Sequence, residues 1–355
     1  MPVIRGLPII MLLFAFGLLQ PAHAGPVPPP DPVAELIREH VEPILNGPGA
    51  GMDKALATFY AQAQFAPAWT RPADVDQLLL ALRGVVADGL NPDDYAVDAL
   101  SRGRALLTDP HATALQRAQF ELLATDACLA ALTHLYRGKV DPASLDTHWN
   151  FDARQPVAGH GVQSVRDALA QGRIGELFVQ ARPQNALYAR LRDALARWRQ
   201  IAAPGDWEPI ASGPTLEPDA LDPRVPALRL QLQRIGYDVG ATTSDTPERY
   251  DPALQQALRQ FQREQYLADD GRVGANTLAA LNVMPAARVD QLRVNLERAR
   301  WLLHQLHDNF VMVDIAGYGV TYYKDAKPIW RARVQVGKPY RSTPVFKSQI
   351  TYLTL

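Results

Sequence analysis

The sequence is poor in cysteine and in net charge. Cys128 is the single cysteine among 355 residues, which excludes an intramolecular disulfide, and a chain of this length can build a core by packing alone. Lysine and arginine number 36 and aspartate and glutamate 37, giving a formal charge of −1. This balance gives no support to nucleic acid or an anionic membrane surface as a partner. No cofactor is expected.

Long apolar runs are also scarce, and the first lies at the N-terminus. Arg5 precedes the apolar residues 7–19, and Ala22-His23-Ala24 follows with the small-x-small pattern that signal peptidase cleaves. The run is short of the roughly 20 residues that span a bilayer. We therefore predict a signal peptide at 1–24 and a periplasmic protein with no stable membrane span after cleavage. An uncleaved inner-membrane anchor is the alternative.

Helical patterns dominate residues 31–201. Leu187, Leu191, Leu195 and Trp198 recur at three- and four-residue spacing, which places them on one helix face. A longer apolar run at 120–135 predicts a buried helix. Residues 202–226 are rich in proline and read as a linker. The sequence thus predicts an all-α scaffold domain followed by a linker.

A small three-helix unit is predicted at 227–283. Its first helix carries Leu228, Leu232 and Ile235 on one side and ends at Gly236, a natural C-cap. The second helix buries Leu254, Leu258 and Phe261. A tight turn follows at Asp270-Gly271, and Thr277 to Leu281 begin the third helix. A further stripe at helical spacing follows, formed by Val289, Leu292, Leu296, Ala299, Leu303 and Leu306.

This unit resembles the small peptidoglycan-binding domain found beside many cell-wall enzymes. The resemblance rests on Leu-Gln before Gly236-Tyr237, then Phe261-Gln262, then Asp270-Gly271-x-x-Gly274-x-x-Thr277. Residues 241–250 form an insert where the family has a short loop, so the groove is expected to differ there. The resemblance implies peptidoglycan as a partner. A helical spacer that binds nothing is the alternative, because fold alone does not carry function.

After residue 306 the spacing of apolar residues changes from that of a helix to that of a strand. Trp330, Ala332, Val334 and Val336 alternate with polar residues, which is typical of a half-buried strand. Residues 319–323 are predicted to pair with it across a turn at 324–327, and 310–315 to form a third strand. The expected fold class is therefore multidomain α+β, with an all-α scaffold, a three-helix domain and the start of a β-rich domain at 288–355.

Four motifs carry a wider resemblance. The first is Phe-Ala-Pro-Ala-Trp (65–69), and the second, Asp-Gly-Leu-Asn-Pro-Asp-Asp-Tyr (88–95), is called the Asp-Gly-Leu motif below. The third, Tyr-Arg-Gly-Lys-Val-Asp-Pro (136–142), is called the Tyr-Arg-Gly-Lys motif. The fourth, Asn-Leu-Glu-Arg-Ala-Arg-Trp (295–301), is called the Asn-Leu-Glu motif. With the loop at 336–346 and Ile350-Thr-Tyr, they resemble the YcbB-type L,D-transpeptidases, with scaffold, peptidoglycan-binding and YkuD-type catalytic domains.

The resemblance implies a cysteine mechanism. In that family a thiolate attacks a stem tetrapeptide, releases D-alanine and forms a thioester, which an amine of a neighbouring stem resolves into a 3→3 cross-link. The family histidine and cysteine lie downstream of the Thr-Pro loop, and residues 345–355 contain neither. No catalytic residue is carried over; we expect them beyond Leu355 in a longer protein, and the chain as given to be inactive.

Other candidate chemistry is weaker. Cys128 lies in an apolar helical run, where a buried, inert thiol is usual, and His134 is about 240° around the helix. His304 and His307 share a helix end but lack a third ligand, so no metal site is predicted. Paired carboxylates at 93–94 and 269–270 lie beside turn residues, where aspartate caps helices. A non-catalytic peptidoglycan-binding protein of the cell envelope is the alternative function.

Overall fold

A computed structural model describes residues 31–48, 51–145, 160–241, 246–307, 309–338 and 340–351. Within them lie twelve α-helices, followed by three antiparallel strands. The predicted signal peptide and part of the insert at 241–250 fall outside the described residues. No helix in the described ranges is long and apolar enough to cross a bilayer.

The first seven helices form one core. Their bounds are α1 (Pro32–Asn46), α2 (Met52–Gln62), α3 (Pro72–Gly84), α4 (Val97–Gly103), α5 (Ala114–Arg137), α6 (His160–Gln171) and α7 (Ile174–Ala181). The central helix α5 starts at a capping box, in which Thr113 and Gln116 satisfy each other's backbone amides. The predicted buried helix at 120–135 is confirmed, because α5 buries ten side chains among its neighbours.

Helices α8 (Ala186–Ala202) and α12 (Pro285–Leu302) pack against each other although about 100 residues separate them. The two leucine stripes found in the sequence meet here, with Leu195, Leu296 and Ala299 buried between them. Burial of such stripes is the main source of helix stability, because it removes apolar surface from water. This pair connects the scaffold to the strands.

The three-helix unit forms as predicted, from α9 (Val225–Ile235), α10 (Pro252–Glu264) and α11 (Ala275–Leu281). Gly236 ends α9 with φ +104°, a left-handed conformation that glycine adopts at no steric cost. Asp251 caps α10 by accepting from the Leu254 amide at 2.9 Å. The inward side chains Leu228, Leu254 and Phe261 form its core.

The proline-rich segment at 202–226 packs closely on this unit. Trp207, Ile210 and Leu216 are buried in the same core as the three helices. The Asn282 side chain both accepts from and donates to the backbone of Ile210, at 2.8 and 2.9 Å. We call residues 203–224 the strap. The boundaries assigned to the domains from the sequence stay predictions.

Three strands, β1 (Phe310–Asp314), β2 (Gly319–Lys324) and β3 (Lys327–Arg333), pair antiparallel in the order β1-β2-β3. The β2–β3 turn has positive φ at Asp325 and Ala326, the geometry that matches strand twist in tight hairpins. The predicted alternation of burial is confirmed at Ala332, Val334 and Val336, which are half-buried between exposed polar residues. It is wrong at Trp330, which is 57% exposed, and the strand ends at Arg333. The predicted fold class is confirmed.

Candidate functional site

Three of the sequence motifs meet at one buried cluster, which we call the Asp88 node. Asp88 is fully buried after α3, and its carboxylate accepts from Arg182 Nε at 2.9 Å and from the Tyr188 hydroxyl at 3.1 Å. Arg192 Nε lies 3.1 Å from the same carboxylate without an aligned hydrogen bond, so it acts as a nearby charge. The aspartate of the Asp-Gly-Leu motif thus compensates cations from the α7–α8 region.

The other two motifs reach the node from α5 and α12. Arg300, buried on α12, donates to the backbone oxygen of Asp88 at 2.8 Å and pairs with Glu297. Glu297 accepts from the amide of Val140, within the Tyr-Arg-Gly-Lys motif, at 2.9 Å. Gly138 has φ +91°, and a Cβ there would overlap the Trp301 indole nitrogen. The three motifs therefore encode the docking of α12 onto the scaffold.

The Phe-Ala-Pro-Ala-Trp motif is fixed by a second buried network. Glu121 on α5 accepts from the backbone amides of Ala68 and Trp69 at 2.8 and 2.9 Å. Thr125 accepts from Trp69 Nε1 at 2.8 Å and lies 2.7 Å from the Tyr60 hydroxyl. Burial raises the pKa of Glu121 to about 7, against the effect of its backbone hydrogen bonds. Because each of these polar groups has a partner, the network holds a loop rather than presenting an open site.

An open site lies instead where the three-helix unit meets α8, the strap and α12. A cleft of about 230 Å³ opens there, and its lining includes Arg197, Trp198, Trp207, Phe261, Leu281 and Arg288. Trp198 and Trp207 meet edge to face, with ring centroids 6.4 Å apart. Arg234 lies over the Trp207 ring at 5.6 Å, a cation–π distance. The walls therefore combine aromatic rings with polar side chains.

The charged groups of this cleft are two guanidinium groups and one carboxylate. Arg197 donates to the Ile235 carbonyl at the end of α9, where a Cβ at Gly236 would lie 2.6 Å from the Arg197 guanidinium. Arg288 donates to Gln265 Oε1 at 3.2 Å, and burial lowers its pKa. Glu264 accepts from the Tyr237 hydroxyl at 2.6 Å. Such a cleft suits a ligand with an apolar part and a negative charge.

The candidate residues from the sequence lie outside this cleft. Cys128 is fully buried on α5, and desolvation raises the pKa of its thiol. His134 contacts the Tyr95 hydroxyl at 3.0 Å, and burial lowers its pKa to about 4. Neither residue is placed to act as a nucleophile or base.

The remaining candidates contact their local surroundings. The ring of His304 packs on Tyr136, with centroids 5.2 Å apart, and His307 is exposed. No group of three possible metal ligands occurs in the part of the chain that the structure describes. Asp94 pairs with Lys139 at 2.8 Å. Asp270 accepts from the Arg272 amide at 2.9 Å and shapes its turn.

The sequence patterns did not identify the two arginines and the two tryptophans that line the cleft. Trp198 was found only as part of a leucine stripe, and Trp207 lies in a segment that composition marks as a linker. Arg197 and Arg288 come from helices outside the three-helix unit. A tryptophan within a proline-rich segment was the available signal, since large aromatic side chains are usually buried.

Comparison with known families gives two matches. The Scaffold domain model matches residues 54–195, and the model described as "Putative peptidoglycan binding domain" matches residues 222–281. No curated protein matches the chain. The two domains and their order are consistent with a YcbB-like architecture, and the second supports peptidoglycan as a partner and association with the cell wall.

Proposed function

We propose that this chain is exported to the periplasm, holds to peptidoglycan through its three-helix unit, and belongs to the YcbB-like L,D-transpeptidases. The observation that supports the proposal most is the peptidoglycan-binding match at 222–281, combined with an open cleft on that same unit. The Asp88 node adds support, because it docks α12 and the strands behind it onto a scaffold of the type that accompanies these enzymes.

The proposed role of these 355 residues is attachment rather than chemistry. The family reaction needs an accessible thiolate, and the one thiol here is fully buried with a raised pKa. In this proposal, 3→3 cross-linking is the reaction of intact family members, and residues 1–355 do not carry it out themselves. A purely wall-binding envelope protein is the second candidate, and the buried thiol favours it for this stretch of sequence.

Sedimentation with purified sacculi tests the binding proposal. The chain from Gly25 onward is mixed with sacculi and, in parallel, with chitin, a related glycan without stem peptides. We expect saturable sedimentation with sacculi, competition by soluble muropeptides, and little sedimentation with chitin. If the amount of protein that sediments with sacculi equals the amount that sediments without them, peptidoglycan binding is contradicted.

Two further measurements test export and chemistry. Expression with the native N-terminus should yield a periplasmic protein whose first residue is Gly25; a protein retaining residues 1–24 in the membrane fraction would support the anchor instead. Incubation with a disaccharide tetrapeptide should release no D-alanine above the blank. Measurable release would refute the assignment of these residues to attachment alone.

A further inference from the structure

We infer that the cleft between the three-helix unit, α8 and α12 binds a free carboxylate of the peptidoglycan stem peptide through Arg197 and Arg288. This rests on the proposed function and adds the part of the polymer that is recognised. It also makes the site composite, because both arginines lie outside residues 222–281 that match the peptidoglycan-binding domain.

Both guanidinium groups are held in place but not neutralised. Arg197 donates to the carbonyl of Ile235. Arg288 donates to Gln291 Oε1 at 3.0 Å, to Gln265 Oε1 at 3.2 Å and to the carbonyl of Ala280 at 3.4 Å. Within the described ranges, neither forms an ion pair with an aspartate or glutamate. A cation fixed by neutral groups keeps donors and charge for a ligand.

The charge balance of the lining points to an anion. Arg197 and Arg288 stand against one acid, Glu264, which already accepts from Tyr237. Partial burial of Arg288 strengthens its attraction for a negative group, because the local dielectric is lower than that of water. The lining therefore carries an excess positive charge between aromatic walls.

The size of the cleft favours peptide over glycan. Its volume of about 230 Å³ lies below the roughly 300–1,000 Å³ of typical ligand pockets. This volume matches one residue with a short aliphatic chain and a carboxylate better than a disaccharide repeat. Stem peptides present such groups, and Trp198, which is only partly buried, offers surface for the aliphatic part.

Fluorescence titration of the mature chain tests the inference, because two tryptophans line the cleft. The probes are the stem tetrapeptide with free carboxylates and the same peptide with every carboxylate amidated. We expect the double variant R197Q R288Q to bind the free peptide at least tenfold more weakly, and amidation to weaken wild-type binding similarly. The matched control R190Q R298Q removes one exposed arginine from each of the same two helices and should bind like wild type.

The outcomes separate this inference from the proposed function. Sacculus binding by wild type, with equal tetrapeptide affinity in both double variants, would overturn the cleft assignment and leave peptidoglycan binding intact. Failure of wild type to sediment with sacculi would overturn the proposed function itself. If R197Q R288Q loses its helical circular dichroism, the variant cannot be used, and the comparison of the two peptides on wild type replaces it. Equal affinity of wild type for the free and the amidated tetrapeptide would then overturn the inference.

Discussion

Replacing Asp88 by asparagine should destabilise the scaffold strongly although the side chain keeps its shape. The carboxylate is fully buried, 2.9 Å from Arg182 Nε and 3.1 Å from both the Tyr188 hydroxyl and Arg192 Nε. Asparagine removes the negative charge and turns a donor group toward cations, so buried positive charge is left uncompensated. Breaking a buried pair in this way costs about 3–5 kcal/mol.

This loss is a large part of the stability of a domain, which is about 5–15 kcal/mol. Urea unfolding followed by far-ultraviolet circular dichroism should show a lower midpoint at unchanged slope, and thermal unfolding a midpoint lower by roughly 10 °C. The slope matters because it reports the surface exposed on unfolding. An unchanged slope identifies a loss of stability rather than a change in the denatured chain.

The control is the same substitution six residues further along the same motif. Asp94 pairs with Lys139 at 2.8 Å, but both side chains are well exposed, so D94N should cost about 0–1 kcal/mol. If D88N and D94N differ by less than about 1 kcal/mol, the Asp88 carboxylate does not compensate buried charge, and our account of the node fails.

Three further predictions concern other buried groups. The pKa of Glu121 is raised to about 7, so between pH 4.5 and 7 the folded state holds a proton that the unfolded state has released. Glu121 therefore contributes a loss of stability as pH rises through that window, and the urea midpoint of E121Q relative to that of wild type should increase across it. The pKa of His134 is lowered to about 4, so His134 contributes a gain of stability as pH rises from 4 to 6.5, and the urea midpoint of H134Q relative to that of wild type should decrease across that window. A difference from wild type that does not change with pH would contradict the assignment in either variant. G138A should lower the urea midpoint by the equivalent of about 2 kcal/mol or more, because the new methyl group meets Trp301 at a positive φ, and a neutral result would show that α12 is not docked there.

Local features of the fold could be predicted from the sequence. The three-helix unit was found because its leucine spacing, its Gly236 C-cap and its Asp270-Gly271 turn are encoded within single elements. The strand order was predictable for the same reason, since tight hairpins pair neighbouring segments. The exposure of Trp330 on β3 was not, because alternation predicts which residues share a face but not what covers it.

Long-range packing could not be read from the same patterns. The stripes of α8 and α12 were each evident, yet periodicity does not identify a partner about 100 residues away. Asp88 reads as a turn residue before glycine, and only the tertiary structure brings Arg182 and Arg300 to it. The cleft has the same origin, because Arg197 and Arg288 belong to helices whose sequence pattern reports only their buried faces.

The residues that dock α12 on the scaffold and the arginines of the cleft are different sets. Asp88, Gly138 and Arg300 are constrained because each contacts other motifs in a buried, charged cluster, where a substitution leaves a charge or an overlap uncompensated. The cleft arginines are held by backbone carbonyls and neutral amides, so no buried charge is left uncompensated when they are replaced. A match to the motifs therefore argues for the architecture, in which α12 docks on the scaffold. Ligand specificity has to be argued from the charges of the cleft, and for that reason the arginine variants and the amidated peptide, rather than further motif comparison, test what this protein recognises.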